Sequence, residues 1–525
     1  MPLYLGLDSS AQSLTAIVIE VAPGVRRTVL EQTLSFDEAL PSYGTRHGVL
    51  PSDNPHVSTA PPLMWAEALD RMMERIARSG LDLADIRAIA GSAQQHGSVY
   101  LDAGAAGTLE RLDATQPLVD HIQRIFSRAV SPIWMDTSTP DECAAITAAT
   151  GGPAALAALT GSRAFERFTG PQIQKFAREQ PEAYARTERV HLVSSFLASL
   201  LAGGHAPLEP GDASGMNLMD IRTGRWAPAA LSATAPELES RLPAIQPSWT
   251  IVGPLAAYWR QRHGFPACDV VAWSGDNPCS LVGVGLVREG RVAISLGTSD
   301  TIFGFMQEPR VDASGAGHVF GSPTGAYMGL TCFKNGSLAR ERIRDAYGLD
   351  WAQFSDALRD TPPANGGAIM LPWFEPEITP PVADAGVRRF DLDPTDAAAN
   401  VRAVIEAQVM AMARHSAWMG VPVNTIVATG GAAANREILQ VMADVFGAGV
   451  DRLPTGNSAA LGAALRAWHA AETASGTVMT WDDVVADFTR PVPGSRVRPR
   501  PEYRATYDRL MSRHAACEGS LTARP

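Results

Sequence analysis

Asp276 is the residue of this sequence best suited to act as a general base. It stands in Ser274-Gly275-Asp276-Asn277-Pro278, which we read as a loop directly after the apolar segment Asp269–Trp273. In α/β proteins, catalytic groups commonly follow the carboxyl ends of strands. A carboxylate there can accept the proton of a substrate hydroxyl while that hydroxyl attacks a phosphoryl group. The alternative is that Asp-Asn-Pro only forms a turn.

Asp8 is a second candidate, because it ends the apolar segment that begins at Leu3. A lone carboxylate at the end of a buried strand is costly unless a ligand or a metal ion meets it. Its functional role would be to orient hydrated Mg²⁺ on a nucleotide. Its structural role would be to cap the following turn through the backbone amides of Ser10 or Gln12.

Gln94-Gln95-His96-Gly97 offers groups that suit a sugar, and it ends another short segment, Ile86–Ala90. Amides and a neutral imidazole each offer a donor and an acceptor, as hydroxyl-bearing ligands require. Glu166-Arg167 could also reach a sugar hydroxyl. The alternatives are a structural role for His96 and a surface position for Arg167.

Glycine turns supply candidate phosphate sites. Leu5-Gly6-Leu7-Asp8-Ser9-Ser10 and Ser295-Leu296-Gly297-Thr298-Ser299-Asp300 share one layout: strand, glycine, a turn of hydroxyl and carboxylate residues, strand. The pair could clamp a polyphosphate, because glycine lets backbone amides approach phosphate closely. Gly430-Gly431 precedes a helix from Asn435, where an adenine ring or a phosphate could bind. Ordinary turns are the alternative for each.

Periodicity predicts the elements that position these residues. Pairs of apolar segments joined by a short turn predict two antiparallel hairpins, Leu3–Asp8 with Leu14–Glu20 and Arg291–Leu296 with Thr301–Phe305. Helical spacing predicts helices at Leu63–Ile76, at Val401–Met419, from Asn435, and over most of Pro132–Leu201; Thr425–Ala428 reads as a strand, and Pro491–Pro501 as a linker to a short final helix.

Composition and charge exclude several classes of protein. The 525 residues carry 44 basic and 55 acidic side chains, a net charge of −11, which argues against nucleic acid or an anionic membrane as the main partner. Only Lys175 and Lys334 are lysines, and neither follows a glycine, so a P-loop is excluded. A His-Arg-Asp catalytic loop of protein kinases is absent. Bound phosphate would therefore be neutralised by backbone amides, arginine or a metal ion.

Cysteine usage and the apolar segments favour a cytoplasmic α/β protein of several domains. The five cysteines are scattered and form no Cys-x-x-Cys pair, which argues against a zinc site or disulfides and fits a reducing compartment. The N-terminus reaches Asp8 before a signal-peptide core could form. The longest uncharged segments, Cys143–Ser162 and Val190–Leu208, are interrupted or weakly apolar for a membrane span.

Taken in order, these motifs resemble those of the FGGY carbohydrate kinases. The resemblance runs from Tyr4 to about Trp468. It rests on eight segments in order and at similar spacing: Gly6–Ser10, Gly91–Gly97, Trp134–Thr139, Thr160–Gly170, Ser274–Asn277, Ser295–Thr301, Cys332–Leu338 and Thr429–Leu439.

The resemblance implies an α/β fold of two ribonuclease-H-like domains of the actin/hexokinase type, with the active site in an interdomain cleft. It implies an N-terminal sugar-binding domain over 1–250, a C-terminal nucleotide-binding domain over 251–485, and an Arg/Pro-rich linker and tail over 486–525. The expected substrates are a sugar and ATP with Mg²⁺, without a nucleic-acid or membrane partner. A monomer and a homodimer both remain open.

The resemblance also implies a role for each candidate residue. Asp276 would be the general base on the terminal hydroxyl of the sugar, and Asp8 would orient Mg²⁺ through water. The sugar ligands would be His96, Arg167, Asp276 and Asn277. The ATP ligands would be Gly297, Thr298, Ser299, Trp351, Gly430, Gly431 and Asn435, with Trp351 near the adenine.

Two other classes of protein remain as alternatives. A non-catalytic nucleotide-binding module is opposed by the intact Asp276 and His96. A sugar-binding regulator is opposed by the lack of a helix-turn-helix segment and of a basic face in the sequence.

Overall fold

The computed structural model describes residues 1–454 and 456–522 and divides into two compact units. The first unit comprises Met1–Val287, Val319–Met328 and Asn457–Thr489, and the second comprises Arg288–His318, Gly329–Gly456 and the chain from Arg490. This division differs from the predicted boundary at residue 250. The strands just after that residue pair into the sheet of the first unit, and a late segment of the chain returns to it.

The strands are β1 Leu3–Ser9, β2 Ser13–Ala22, β3 Val25–Ser35, β4 Thr59–Ala60, β5 Ile86–Ala93, β6 Ser98–Asp102, β7 Ser131–Pro132, β8 Thr187–Leu192, β9 Met219–Asp220, β10 Arg225–Trp226, β11 Ile251–Pro254, β12 Asp269–Val271, β13 Ser274–Gly275, β14 Arg291–Leu296, β15 Asp300–Met306, β16 Gly317–Gly321, β17 Tyr327–Phe333, β18 Ile369–Trp373, β19 Gly386–Phe390, β20 Thr425–Thr429 and β21 Gly449–Arg452.

The helices are α1 Phe36–Ala39, α2 Pro62–Ala77, α3 Ala105–Glu110, α4 Leu118–Ile122, α5 Pro140–Ala149, α6 Pro153–Thr160, α7 Thr169–Glu179, α8 Pro181–Arg186, α9 Val193–Ala202, α10 Pro210–Ala213, α11 Pro228–Thr234, α12 Leu238–Arg241, α13 Ala257–His263, α14 Asp276–Gly283, α15 Ser337–Ala346, α16 Trp351–Asp360, α17 Ala397–His415, α18 Arg436–Phe446, α19 Ser458–Ala474, α20 Trp481–Val485 and α21 Arg504–Thr522.

The main sheets of the two units repeat one pairing pattern. In the first unit the order is β11-β12-β5-β1-β2-β3, with β1 antiparallel to β2 and parallel to β5. In the second unit β14 is antiparallel to β15 and parallel to β20, within the order β16-β17-β15-β14-β20-β21. Both predicted hairpins are confirmed. The matched glycine turns therefore occupy equivalent places in the two sheets.

Strand β1 is buried on both faces, as its nearly continuous apolar sequence requires. Leu5 and Leu7 belong to the cluster that contains Trp65 of helix α2. On the other face, Tyr4 packs in a cluster with Trp468 of helix α19. Layers on both sides of the sheet thus hold β1 in place, and with it Asp8 at its carboxyl end.

Helix α14, which begins at Asp276, is fixed by a close crossing with helix α19. A Cβ atom on Gly283 would lie 1.9 Å from the carbonyl oxygen of Ser458, and one on Gly462 would lie 1.9 Å from that of Cys279. Only glycine allows the two backbones to approach this closely. The late segment 457–489 therefore completes the first unit and sets the position of α14.

Three predicted elements differ from the structure. Asp276 starts a helix and does not lie in a loop, because Ser274 and Gly275 extend the sheet as β13 up to that residue. Within the predicted helical region, Thr187–Leu192 forms strand β8, which pairs with β6. The final helix, α21, is not short, since it has 19 residues.

Among the described residues, no single helix is long and apolar enough to cross a membrane. Helices α5 and α6 reach the required length and composition only as a pair, and they are bent by 84°.

Helix α21 is anchored in the core of the second unit by a buried hydroxyl group. Tyr507 donates a hydrogen bond to Oε1 of Glu406 at 2.8 Å and accepts one from Nη2 of Arg402 at 2.6 Å. Arg402 and Glu406 are themselves paired at 2.7 Å within helix α17. All three side chains are buried. The C-terminal segment is therefore part of the folded core of this unit.

We expect Tyr507→Phe to lower the free energy of unfolding by about 1–3 kcal/mol, because a buried ion pair loses a hydrogen-bonding partner. Guanidinium denaturation of the full chain measures this loss. Tyr503→Phe is the matched control, since Tyr503 precedes the same helix and is partly exposed. Equal midpoints for the two variants would contradict the anchoring role.

Candidate active site

Asp276 lies at the first position of helix α14 and presents one free carboxylate oxygen. Its Oδ1 accepts hydrogen bonds from the backbone N–H groups of Asn277 at 2.8 Å and Gln95 at 3.3 Å, and from Nδ2 of Asn277 at 3.1 Å. Its Oδ2 accepts none from the residues that the structure describes. Burial raises the pKa of Asp276 to about 6, although these hydrogen bonds oppose the rise. An oriented carboxylate of this basicity is suited to proton abstraction near neutral pH.

Asp8 lies close enough to Asp276 for the two charges to interact. Burial, followed by the negative charge of Asp276, raises the pKa of Asp8 to about 7, and a hydrogen bond of 2.7 Å from Oγ of Ser92 opposes the rise. Two neighbouring carboxylates that resist ionising together favour a bound cation. The predicted capping of the turn is performed by Ser10, whose Oγ accepts from the backbone N–H of Ser13 at 3.2 Å.

These carboxylates fit a Mg²⁺ ion that keeps most of its water. Mg²⁺ prefers oxygen ligands and commonly binds through one or two carboxylates together with phosphate oxygens. Across residues 1–454 and 456–522, no group of three or more His, Cys, Asp and Glu side chains is arranged to hold a metal ion. The donor set is thus too small for an all-protein cage but adequate for a hydrated ion.

His96 is held as a neutral hydrogen-bond acceptor. Its Nδ1 lies 2.7 Å from the carbonyl oxygen of Gly215, and because that oxygen can only accept, Nδ1 carries the proton. Burial and then the nearby charge of Arg167 lower the pKa of His96 to about 3. Its Nε2 is left as an acceptor, which suits a ligand hydroxyl.

Arg167 lies beside His96, against a wall of aromatic rings. Its guanidinium carbon is 5.0 Å from the ring centre of Phe165 and 5.5 Å from that of Phe168. The ring of Phe168 also packs 4.5 Å from the imidazole of His96. These rings orient both polar groups, so the predicted sugar residues of the first unit come together.

Asn277 is oriented by Gln95, which the sequence placed in a sugar-binding motif without giving it this function. Nδ2 of Asn277 donates to Oε1 of Gln95 at 3.0 Å, and Nε2 of Gln95 donates to the carbonyl oxygen of Gly211 at 3.2 Å. Gln95, in the segment after β5, thus connects the start of helix α14 to helix α10.

Sequence reasoning missed two buried carboxylates behind Asp276. Glu209 accepts from the hydroxyl of Ser274 and from the backbone N–H of Asp212, the latter at 2.8 Å. Asp212 accepts from the hydroxyl of Ser194, and burial, followed by the negative charges of Glu209 and Asp276, raises its pKa well above the usual value. Both acids follow the long uncharged segment that ends at Leu208. Their position directly after an apolar segment was the one signal in the sequence that these carboxylates could be buried.

The second unit contains a cavity of about 710 Å³ that gathers most of the predicted nucleotide residues. Its walls include Gly297, Thr298, Trp351, Gly431 and Asn435. Ser299 is exposed in the same turn as Thr298, while Gly430 directly precedes the cavity wall at Gly431. The predicted clamp of a polyphosphate by both glycine turns remains a prediction.

Trp351 offers a flat surface to this cavity. It is the first residue of helix α16, and 46% of it is exposed. The guanidinium carbon of Arg344 lies 4.5 Å from the centre of its ring. An exposed indole at a cavity wall provides a stacking surface for an aromatic base.

Asn435 caps helix α18 and also lines this cavity. Its Oδ1 accepts from the backbone N–H of Glu437 at 3.0 Å and of Ile438 at 3.3 Å, and its Nδ2 donates to Oγ of Ser355 at 2.8 Å. The cap therefore links helices α16 and α18, which both contribute residues to the cavity wall.

Gly430 and Gly431 form a natural comparison for backbone strain. Gly430 has φ +84° and ψ 171°, a region populated essentially by glycine alone, and a Cβ there would lie 2.4 Å from the carbonyl oxygen of Leu296. We expect Gly430→Ala to lower the free energy of unfolding by about 2–4 kcal/mol.

Gly431→Ala is the matched control, because no described atom lies within 4 Å of a Cβ at that position. We expect its free energy of unfolding, measured by thermal denaturation, to match that of the wild type within about 0.5 kcal/mol. A Gly430→Ala protein as stable as Gly431→Ala would show that the turn is free to rearrange.

Comparison with known families decides the class of the protein. The FGGY family of carbohydrate kinases matches through its N-terminal domain over residues 3–283 and through its C-terminal domain over residues 292–471. The chain belongs to this family. It is therefore an enzyme, a sugar kinase of the FGGY type, and its two units have the α/β fold predicted from the motifs.

Individual members of the family are similar to this chain over most of its length. The mouse protein xylulose kinase is 43% identical over 526 residues, covering 98% of this chain and 93% of the relative. Xylulose kinase 2 of Arabidopsis thaliana is 42% identical, covering 89% and 87%. Both alignments cover most of this FGGY kinase and most of the relative.

Solved structures of more distant proteins share the fold. The xylulose kinase of Rhodospirillum rubrum has a TM-score of 0.82 at 20% identity, covering 99% of both chains. The gluconate kinase of Lactobacillus acidophilus has the same TM-score at 17% identity, covering 99% of this chain and 98% of its own. Since kinases of different sugars match equally well, this likeness describes the fold of an FGGY kinase and not its substrate.

Proposed function

We propose that the protein transfers the γ-phosphoryl group of ATP to O5 of D-xylulose, giving D-xylulose 5-phosphate and ADP. The observation that carries the reaction type is the free Oδ2 of Asp276, beside Asn277 and a neutral His96. The choice of sugar is supported by the near full-length similarity to the mouse enzyme. A cytoplasmic location, expected from the cysteine pattern, belongs to the same proposal.

The proposed mechanism relies on positioning and on one proton transfer. Nε2 of His96 accepts from a sugar hydroxyl, while Arg167 and Asn277 donate to the sugar oxygens. Asp276 takes the proton of the 5-hydroxyl as its oxygen attacks phosphorus, and ADP leaves. The turn Gly297–Ser299 offers backbone amides to the phosphates. Asp8 would hold Mg²⁺ through water, and the bound ion would neutralise phosphate charge.

A kinase for another pentulose or a pentitol, such as ribulose or xylitol, is the nearest alternative. The non-catalytic nucleotide-binding module considered from the sequence is opposed by the family of the chain and by the free carboxylate oxygen of Asp276.

A panel of pentuloses and pentitols with ATP and Mg²⁺, followed by coupled ADP release, tests the proposal. We expect D-xylulose to give the highest kcat/KM, and NMR of the product to place the phosphate on C5. A higher kcat/KM for ribulose or xylitol would reassign the substrate. No sugar-dependent ADP release with any of them would contradict the kinase reaction itself.

The rate should also depend on pH through the carboxylates. A general base must be deprotonated, so the raised pKa of Asp276, about 6, predicts that kcat/KM for the sugar falls as the pH drops below about 6. His96, with its pKa lowered to about 3, stays neutral over this range. A profile of kcat/KM against pH from 4.5 to 8 measures this fall. A kcat/KM that stays constant from pH 8 down to pH 4.5 would contradict the assignment.

A further inference from the structure

The turn Gly297–Asp300 is tied at both ends to one buried arginine. Arg340 of helix α15 is 1% exposed, and its Nη1 and Nη2 bind Oδ2 and Oδ1 of Asp300 at 2.7 and 3.0 Å. Nη2 also lies 3.4 Å from the carbonyl oxygen of Gly297. Between these two tied residues, Thr298 and Ser299 are exposed. Asp300 therefore differs from Asp8, the aspartate of the matching turn in the first unit, because its carboxylate forms an ion pair with Arg340.

This tie dictates the direction of a backbone N–H group. The carbonyl oxygen of Gly297 accepts from Arg340 and also from the backbone N–H of Ser337 at 2.8 Å. In a trans peptide the C=O and the following N–H point in opposite directions. The N–H of Thr298 must therefore point away from Arg340.

A second contact extends the tie into helix α17. Nη1 of Arg340 donates to Oε1 of Gln408 at 3.0 Å. Nε2 of Gln408 donates in turn to the carbonyl oxygens of Asn335 at 2.7 Å and Gly336 at 2.9 Å. The guanidinium thus joins the turn to two packed helices, so the turn cannot shift without breaking buried hydrogen bonds.

We propose that Arg340 is a positioning residue that holds the turn Gly297–Ser299 in the conformation that binds phosphate. This inference rests on the proposed nucleotide site. Arg340 contributes to a cavity wall, but its charge is neutralised by Asp300, so it acts through the turn and not as a phosphate ligand. Catalysis and binding by preformed donors are sensitive to displacements of about 1 Å, which cost on the order of 100-fold.

Arg340→Lys tests the proposal, because lysine keeps the charge but cannot bridge Asp300 and Gly297 with a planar fork. Arg402→Lys is the matched control. Arg402 is also a buried arginine of the second unit, paired with Glu406, and its hydrogen bonds go to Leu358, Thr361 and Tyr507 rather than to the turn. Calorimetric titration of each full-length variant with ADP gives Kd, and steady-state kinetics give kcat/KM for ATP.

We expect Arg340→Lys to raise the Kd for ADP about tenfold and to lower kcat/KM for ATP by about 10- to 100-fold. The KM for the sugar should change less than about twofold, and Arg402→Lys should remain within about twofold of wild type throughout. An unchanged Kd in Arg340→Lys would overturn the proposal. So would an equal loss in Arg402→Lys, because it would indicate general loosening of the core.

Asp300→Asn is the second variant if Arg340→Lys does not fold. It weakens the same tie from the other side, and we expect the same rise in the Kd for ADP; an unchanged Kd again overturns the proposal. A wild-type protein that binds ADP but phosphorylates no pentulose would contradict only the proposed function. A wild-type protein that binds no ADP would overturn both.

Discussion

Replacing Asp276 with asparagine is expected to lower kcat about 10²- to 10⁴-fold, the usual contribution of a general base. Asparagine keeps the size of the side chain and can still accept from the N–H of Asn277, but it cannot take a proton. Since burial makes the carboxylate costly to ionise, the variant should fold at least as well as the wild type. Steady-state ADP release with saturating sugar measures the loss.

Asp269→Asn is the control for this substitution. Asp269 begins β12 of the same sheet, and its pKa is also raised by burial, yet it lies at the amino end of its strand. We expect that variant to keep wild-type turnover. Turnover in Asp276→Asn within a few-fold of wild type would remove Asp276 from the chemistry and would leave its raised pKa without a catalytic meaning.

Removal of divalent metal is expected to abolish sugar-dependent ADP release, with recovery on addition of excess Mg²⁺. The chain has only two lysines, and neither stands in a phosphate-binding loop motif. Backbone amides and hydroxyls of the turn Gly297–Ser299 carry no full charge. Arg359 and Arg436 line the cavity, so arginine and the ion are the available positive charges, and we expect the ion to supply most of the neutralisation of the transferred phosphoryl group. Assays in excess chelator, back-titrated with Mg²⁺, measure the dependence.

Two controls separate a catalytic from a structural metal. The thermal midpoint of the protein without nucleotide should not change with chelator, because the described residues hold no cluster of three or more metal-binding side chains. Asp8→Asn should raise the Mg²⁺ concentration needed for half-maximal activity, since it removes one charge of the carboxylate pair. Full activity in excess chelator would contradict the role of the ion.

Local patterns in the sequence were sufficient to predict the parts of the site that lie at strand ends. The apolar segments Leu3–Asp8 and Arg291–Leu296 predict two strands, and each strand ends at the glycine or polar residues that follow it. Asn435 was recognisable as the start of a helix because asparagine is a favoured cap, and the structure confirms that cap.

The unpredicted features depend on contacts between distant parts of the chain. The partner of Asp212 could not be predicted, because Ser194 lies 18 residues earlier in the chain and the tertiary fold decides which side chains contact a buried carboxylate. Asp276 was placed in a loop because Asp-Asn-Pro is a common turn, whereas proline is equally compatible with the first turn of a helix. The pairing of Arg340 with Asp300 spans 40 residues and has no local signal.

The close crossing of α14 and α19 has a consequence for biosynthesis. The glycine seam at Gly283 and Gly462 forms only once residues 457–489 have left the ribosome, when most of the polypeptide has already been translated. Until then, the apolar side of the nascent sheet around Tyr4, Ile17 and Ile19 lacks its cover. A fragment ending near Val287 should therefore be prone to aggregation and dependent on chaperones. Addition of residues 457–489 as a separate peptide should restore its solubility.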